Sequence, residues 1–232
     1  MQLTDTSRRR FLQSGAALAA AGTFGSAFAQ SDYPSRPITV IVPYAPGGQG
    51  DVFPRLVGER LARVLGQPMV VDNRPGASGA LGARLVAKAR ADGYTLMLGQ
   101  TGEMAVNRSA MKSPGYDSLG DLRGIALVGD APLVMAAPAG APFNTLEELI
   151  ALPRSKPGSV SYASSGTATP GHLAGAALAL GTKTDMVHIP YKGAGQAITD
   201  LIRGQVQFFF SSALAILSHI KGGKVKGLAA SS

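Results

Sequence analysis

Cysteine is absent from all 232 residues, which excludes disulfides and thiolate metal sites and leaves stability to the packed core. Beyond residue 29 no stretch reaches the ~18 consecutive apolar residues that a membrane-spanning helix needs. Runs of like charge are missing too. The formal net charge is +8, yet Arg55, Arg60, Arg63, Arg84, Lys88 and Arg90 are scattered along helical patterns. No block of five or more basic residues is present to bind nucleic acid, so the excess reads as a solvated basic face.

Signatures of catalysis are equally sparse. His172, His188 and His219 show no metal-ligand spacing, no Gly-x-Ser-x-Gly elbow occurs, and no Gly-Lys-Ser/Thr follows a glycine-rich turn. Two Ser-x-x-Lys strings, Ser109 to Lys112 and Ser218 to Lys221, lack the Lys-Thr-Gly and Ser-Asp-Asn partners of penicillin-recognising enzymes. A serine-dependent acyl hydrolase is the enzyme alternative these strings leave. The expectation is a binding protein with no catalytic residue, no cofactor and no metal.

What is present begins with an address. Ser7-Arg8-Arg9-Arg10-Phe11-Leu12-Gln13 precedes a weakly apolar Ala/Gly stretch that closes on Ala27-Phe28-Ala29. A positive n-region, a short h-region and small residues at −3 and −1 read as a twin-arginine export signal over residues 1–29, cleaved before Gln30. The whole sequence is 45% hydrophobic with Gly 30 and Pro 15, the composition of a globular chain with many tight turns.

Short β-rich runs alternate with helical patterns. The runs are 38–42, 69–71, 94–98, 160–162, 186–189 and 208–210; Val52, Leu56, Val57, Leu61, Val64 and Leu65 then recur at three- and four-residue steps. Another helix is expected from about Ala77 to Ala89, and a third behind the capping box Thr145-Leu146-Glu147-Glu148. This order predicts parallel α/β sheets with right-handed crossovers. The apolar stretch 127–138 runs into Ala139-Gly140-Ala141-Pro142 and marks a boundary near residue 138, giving a first lobe over 30–137 and a second over 138–232.

Ligands of open α/β sheets lie at the carboxyl ends of strands, and four loops there are unusual. Pro43 to Asp51 contains Gly47, Gly48 and Gly50, whose amides can approach an anion closely at a helix start; Asp51 is the candidate cap, although Pro54 removes one amide it would bond. Asn73 to Gly79 is a second turn feeding a helix. Ser164 to His172 offers four hydroxyls before a helix begun by Pro170. Pro190 to Gly195 carries Lys192, the cation of the second-lobe loops.

These residues also carry a resemblance. Tyr33-Pro34-Ser35-Arg36-Pro37-Ile38, Val42 to Gly48, Asn73-Arg74-Pro75-Gly76, Asp92-Gly93-Tyr94-Thr95-Leu96 and His188-Ile189-Pro190-Tyr191-Lys192-Gly193 resemble the Bug-type receptors of tripartite tricarboxylate transporters. The resemblance implies a two-lobed, type II-like periplasmic-binding-protein fold, each lobe a mainly parallel sheet flanked by helices. It also implies a periplasmic monomer that closes over a small organic carboxylate and presents it to membrane permease subunits. The implied ligand set is Tyr44, Pro46, Gly47, Gly48 and Asp51; Ser78, Gly79 and Thr101; Ser164, Gly166, Thr167, Thr169 and His172; and Lys192 with Gly193. Chains of this kind continue beyond the strand at Lys226 to Ala229 and return to the first lobe, so that lobe is expected to be incomplete here and the second to hold the start of the return crossover. Asn107-Arg108 departs from the Asn-Pro usual there. A sensor subunit reporting to a membrane kinase is the binding alternative.

Replacing Arg8 and Arg9 with Lys is expected to leave full-length precursor in the cytoplasm, read by immunoblot of cell fractions. Normal processing of that variant would remove the twin-arginine reading.

Overall fold

The computed structural model describes residues 33–231, so the export signal expected over residues 1–29 lies outside the described residues. Eight strands form two sheets: β1 (Ile38–Val42), β2 (Met69–Asn73) and β3 (Thr95–Met97) in one, and β4 (Leu133–Pro138), β5 (Val160–Ser164), β6 (Met186–Pro190), β7 (Phe208–Ser212) and β8 (Val225–Ala230) in the other. The helices are α1 (Gln49–Leu65), α2 (Ala80–Ala87), α3 (Asn107–Ala110), α4 (Leu146–Ser155), α5 (Pro170–Thr182), α6 (Ala194–Ile202) and α7 (Ala213–Lys221).

The first sheet is parallel, in order β2-β1-β3, and the second runs β6-β5-β7-β4-β8. β5 is parallel to β6 and β7, whereas β4 is antiparallel to β7 and β8. The same 2-1-3 arrangement of a βαβαβ unit therefore occurs twice, as crossover connections of one hand require. The passage between the sheets precedes Leu133. Residue 138, expected as the boundary, is the last residue of β4 and belongs to the second sheet. The apolar run that suggested an exit from the first lobe is a central strand of the other one.

Alternation along the strands divides the second half's core. Met135, Ala137, Val160, Tyr162 and Phe208 pack on one face with Phe143 and Leu149. Ala136, Ala163 and Phe209 face the other way, against Ala197, Ile198, Leu201 and Ile216. In the first half the buried apolar residues include Val40 and Val42 of β1 and Ala80 and Ala83 of α2. Much of α1's apolar stripe stays open, with Val64 81% exposed, and the segment between residues 123 and 132 carries Ile125 and Leu127 at 80% and 88% without strand pairing among the described residues.

Local chemistry sets the helix starts. Thr145 caps α4 through Oγ1, which accepts from Glu148 N at 3.2 Å. The Glu148 carboxylate returns to Asn144 N, one residue before the amide a capping box uses. The second expected helix begins later than its sequence suggests. Ala77–Gly79 is a tight turn with Ser78 at φ 52, and α2 follows only at Ala80.

Leu201 is fully buried and Leu180 is 79% exposed. Leu201→Ala is expected to cost about 2–5 kcal/mol by urea denaturation, and Leu180→Ala less than about 0.5 kcal/mol.

Candidate functional site

The loop after β1 is held by its own side chains. Gly48, in extended backbone, is the N-cap of α1 and offers no side chain to cap it. Asp51, the expected cap, lies within the first turn instead. Its Oδ2 accepts from Gly47 N at 3.3 Å, and its Oδ1 accepts from Arg55 Nε and Nη2 at 3.1 and 2.8 Å. Burial opposes the Asp51 charge, but hydrogen bonds from Arg55, Gly47 and Asn73 outweigh it and hold the pKa below the ordinary carboxylate value. Asn73 completes the brace by donating Nδ2 to Tyr44 O at 3.0 Å. Gly47 meets the second half here: Ala45 N donates to Lys192 O at 3.1 Å, and a Cβ on Gly195 would lie 2.7 Å from Pro46 O. A Cβ on Gly193 would lie 3.0 Å from Ala45 N. Lys192 contributes its carbonyl to this contact while its side chain is exposed.

Beneath the loop lies a carboxyl group with no sequence signal. Glu103, in a π-turn over Gly102–Val106, is 1% exposed. Its Oε2 accepts from Tyr44 Oη at 2.8 Å and its Oε1 from Gln100 N at 2.7 Å. Burial dominates and pushes its pKa up to about 7, against these two hydrogen bonds. Tyr44 is raised well above its usual value by the same burial and by Glu103. Gly79 must lack a side chain, since a Cβ would sit 2.8 Å from Glu103 Oε2. Asn107 Nδ2 ties the same turn by donating to Ser78 O at 3.0 Å.

The loop after β5 satisfies most of its own polar groups. Ser164 Oγ accepts from Gly166 N and donates to Gly166 O, and Thr169 Oγ1 donates to Gly166 O at 2.7 Å. Ser164 and Thr169 are both buried. His172 Nδ1 accepts from Ala168 N at 3.1 Å, and His188 Nε2 lies 2.7 Å from Ser164 Oγ. The first bond of α5's ladder joins Leu173 N to Thr169 O, so the amides of Gly171 and His172 precede the ladder.

A cavity of about 630 Å³ opens between these loops. Of the sequence candidates, Tyr44, Gly48, Asp51, Thr101 and Thr169 line it. Pro46, Gly47, Ser78, Gly79, Ser164, Gly166, Thr167, His172, Lys192 and Gly193 are not among its lining residues, although several form the walls behind them. Ser165, Gly171, Ser211 and Asp130 add to its polar lining, and Phe53, Met97, Met104 and Leu127 to its apolar lining. No Lys, Arg or His lines it among the described residues. Ser211 Oγ is buried there without a hydrogen-bond partner among the described residues. Its position just after the Phe208-Phe209-Phe210 run, at the carboxyl end of β7, is the signal that could have found it. Among the described residues no helix is long and apolar enough to cross a membrane, and no cluster of side chains fits a metal ion.

Comparison with known proteins agrees with this architecture. Residues 53–232 match the family described as tripartite tricarboxylate transporter family receptor. Protein BugT of Bordetella pertussis is 41% identical over 198 residues, which are 85% of this chain and 61% of BugT. The chain thus spans less than two thirds of that relative's length. Among solved structures, an R. palustris protein with adipate superposes with TM-score 0.84 at 32% identity, covering 86% of this chain and 67% of that one. MatC from Rhodopseudomonas palustris with bound malate gives 0.82 at 30% identity, over 86% and 68%.

Glu103 generates a pH-dependent stability. Below 4.5 both folded and unfolded chains hold its proton; between 4.5 and about 7 only the folded chain does. Stability therefore falls as pH rises through that window and levels off above about 7. Glu103→Gln is expected to remove this slope. Urea denaturation should show the variant gaining about 3 kcal/mol on the parent between pH 4.5 and pH 8, and a constant difference would show that the carboxyl is ionised throughout.

Proposed function

The chain belongs to the tripartite tricarboxylate transporter receptor family, and on that premise we propose that it captures a small organic carboxylate between its two halves and presents it to a membrane permease. The observation that carries this reading is the polar part of the cavity lining: the start of α5, Ser165 and the Ser211 hydroxyl, unpartnered among the described residues, line the same cavity as Gly48 and the first turn of α1. Two helix starts and hydroxyl groups are what an anion needs where no side-chain cation lines the wall. The adipate and malate in the two similar structures support a carboxylate as the ligand.

The reading includes export by the twin-arginine signal to the periplasm, action as a monomer, and binding without catalysis. Ser164 and Thr169 serve it indirectly, because their hydroxyls already donate within the loop. The direct contacts are assigned to Ser165, Ser211 and the backbone amides of Gly48 and Gly171. Lobe limits at the passage before Leu133 are part of the same proposal.

Isothermal calorimetry against adipate, malate, aromatic acids and amino acids tests it. Gly48 has φ −96 and ψ 174, an extended conformation that a side chain tolerates. Gly48→Val is therefore expected to obstruct the amide without straining the backbone and to abolish binding. Ser211→Ala is expected to weaken it by about 1–3 kcal/mol. Undiminished affinity in the Gly48→Val protein, or binding of amino acids and no simple acid, overturns the site or the ligand class respectively.

A further inference from the structure

We propose that His172 is a positioning residue of the loop after β5, and that its imidazole, packed against His188, makes the shape of that loop depend on proton uptake. The proposal rests on the reading of this loop as part of the carboxylate site. It concerns the regulation of that site, and no part of it needs either histidine to touch the ligand.

His172 is the third residue of α5, and its ring turns back to the residue before the N-cap. Nδ1 accepts from Ala168 N at 3.1 Å. A capping box places Glu or Gln at this position for the same task; here the acceptor is a group that titrates near neutrality. Acceptance requires a lone pair on Nδ1, so the proton of the neutral ring is on Nε2. The bond has work to do, because Ala168 is held at φ 64, a left-handed conformation that alanine seldom adopts. Protonation of Nδ1 replaces the acceptor with a second donor facing the Ala168 amide, and the loop loses what holds it.

His188, on β6, couples a second imidazole to the first. The ring centroids are 4.0 Å apart, and His188 Nε2 lies 2.7 Å from Ser164 Oγ, which also bonds both backbone groups of Gly166. Tyr162 of β5 stacks on both rings, and Phe208 of β7 stacks on Tyr162. Tyr162, itself shifted upward by burial, is the titratable group these elements add. Among the described residues no carboxylate pairs with either histidine. Two imidazolium rings at this separation would repel with no counter-charge beside them. The titration agrees in direction: burial lowers both groups, and His188, lowered further by His172, reaches about 4. A histidine that is depressed in the ordered loop and ordinary in an opened one favours the opened loop as pH falls from 6.5 towards about 4. Above 6.5 the ordered loop is unopposed.

Hydrogen exchange followed by NMR on the whole chain tests this without any ligand. The Ala168 amide protection factor is expected to fall at least tenfold between pH 7 and pH 5.5. In His172→Asn, whose Oδ1 keeps an acceptor that does not titrate, the fall should be at least threefold smaller than in the parent, the remainder being the contribution of His188. A parent protection factor that is constant over this range, or a variant that falls as the parent does, overturns the proposal. Imidazole shifts in the parent alone provide a second reading, and ordinary pKa values for both histidines would also overturn it. Adipate is then titrated at the two pH values. Affinity of the parent should drop at least fivefold more than that of His172→Asn, which cancels the acid's own protonation; an equal drop overturns the coupling. If neither adipate nor any other simple acid of the calorimetry panel binds either protein at pH 7, the ligand reading fails, while the exchange data still decide the switch.

Discussion

The cleft depends on one backbone contact between its halves. Ala45 N donates to Lys192 O, and Pro46 O faces Gly195 at a distance that leaves no room for a Cβ. Any side chain at Gly193 or Gly195 would push the loops apart and widen the cavity that both halves line. The loop after β1 can make this approach only because it is rigid, and Asp51, Arg55 and Asn73 supply the rigidity from behind. Glu103 adds a brace from below through Tyr44. Glycines that suggest anion binding in isolation thus serve first as surfaces where two backbones meet.

This explains which parts of the molecule were legible. The strands of both sheets announce themselves by β-branched and aromatic runs, and α1 by the step of Val52, Leu56 and Leu61, because these are local patterns. The start of α1 was not legible, since Gly48 caps it with backbone alone. β4 was hidden because its role depends on antiparallel partners, β7 and β8, whose paired residues lie 73 to 96 positions further along the chain. Ser78 has the type of an N-cap residue and instead occupies a left-handed turn. Glu103 was invisible: nothing in Gly102-Glu103-Met104 distinguishes a solvated acid from one enclosed by Tyr44 and Gly79, which come from two distant places in the chain, and bonded to the nearby Gln100 amide. The sequence pointed to loops that border the cavity but could not show how their hydroxyls are used. Ser164 and Thr169 donate within the loop, Thr169 also lining the cavity, and Ser165 and Ser211 line it as well.

Two buried titrations work in opposite senses on the two sides of the cleft. Glu103 in the first half resists losing its proton, and His172 and His188 in the second resist gaining one. The first half is therefore favoured by acid and the second by neutral or alkaline conditions. Each group braces a loop that lines or backs the cavity, so the two loops respond to pH in opposite directions. Coupling of this kind needs no ligand charge to be sensed directly.

The lack of a side-chain cation sets how such a cavity would recognise an acid. Micromolar binding requires about 8 kcal/mol. A helix start contributes about 0.3–1 kcal/mol and a hydrogen bond to a charged group about 1.5–3 kcal/mol. The two helix starts leave most of the requirement to directed hydrogen bonds, and about two to five of them must converge on one ligand. The assigned donors come from both halves, so binding and approach of the halves are linked, and a ligand gains affinity from the state in which both sets of donors reach it. A guanidinium clamp would accept many carboxylates at the same point. Fixed amides and hydroxyls, with Phe53, Met97 and Met104 along the apolar wall, reject an acid whose length puts its second polar group among side chains that cannot hydrogen-bond it well. Selectivity then follows from the distance between a ligand's polar ends more than from its charge.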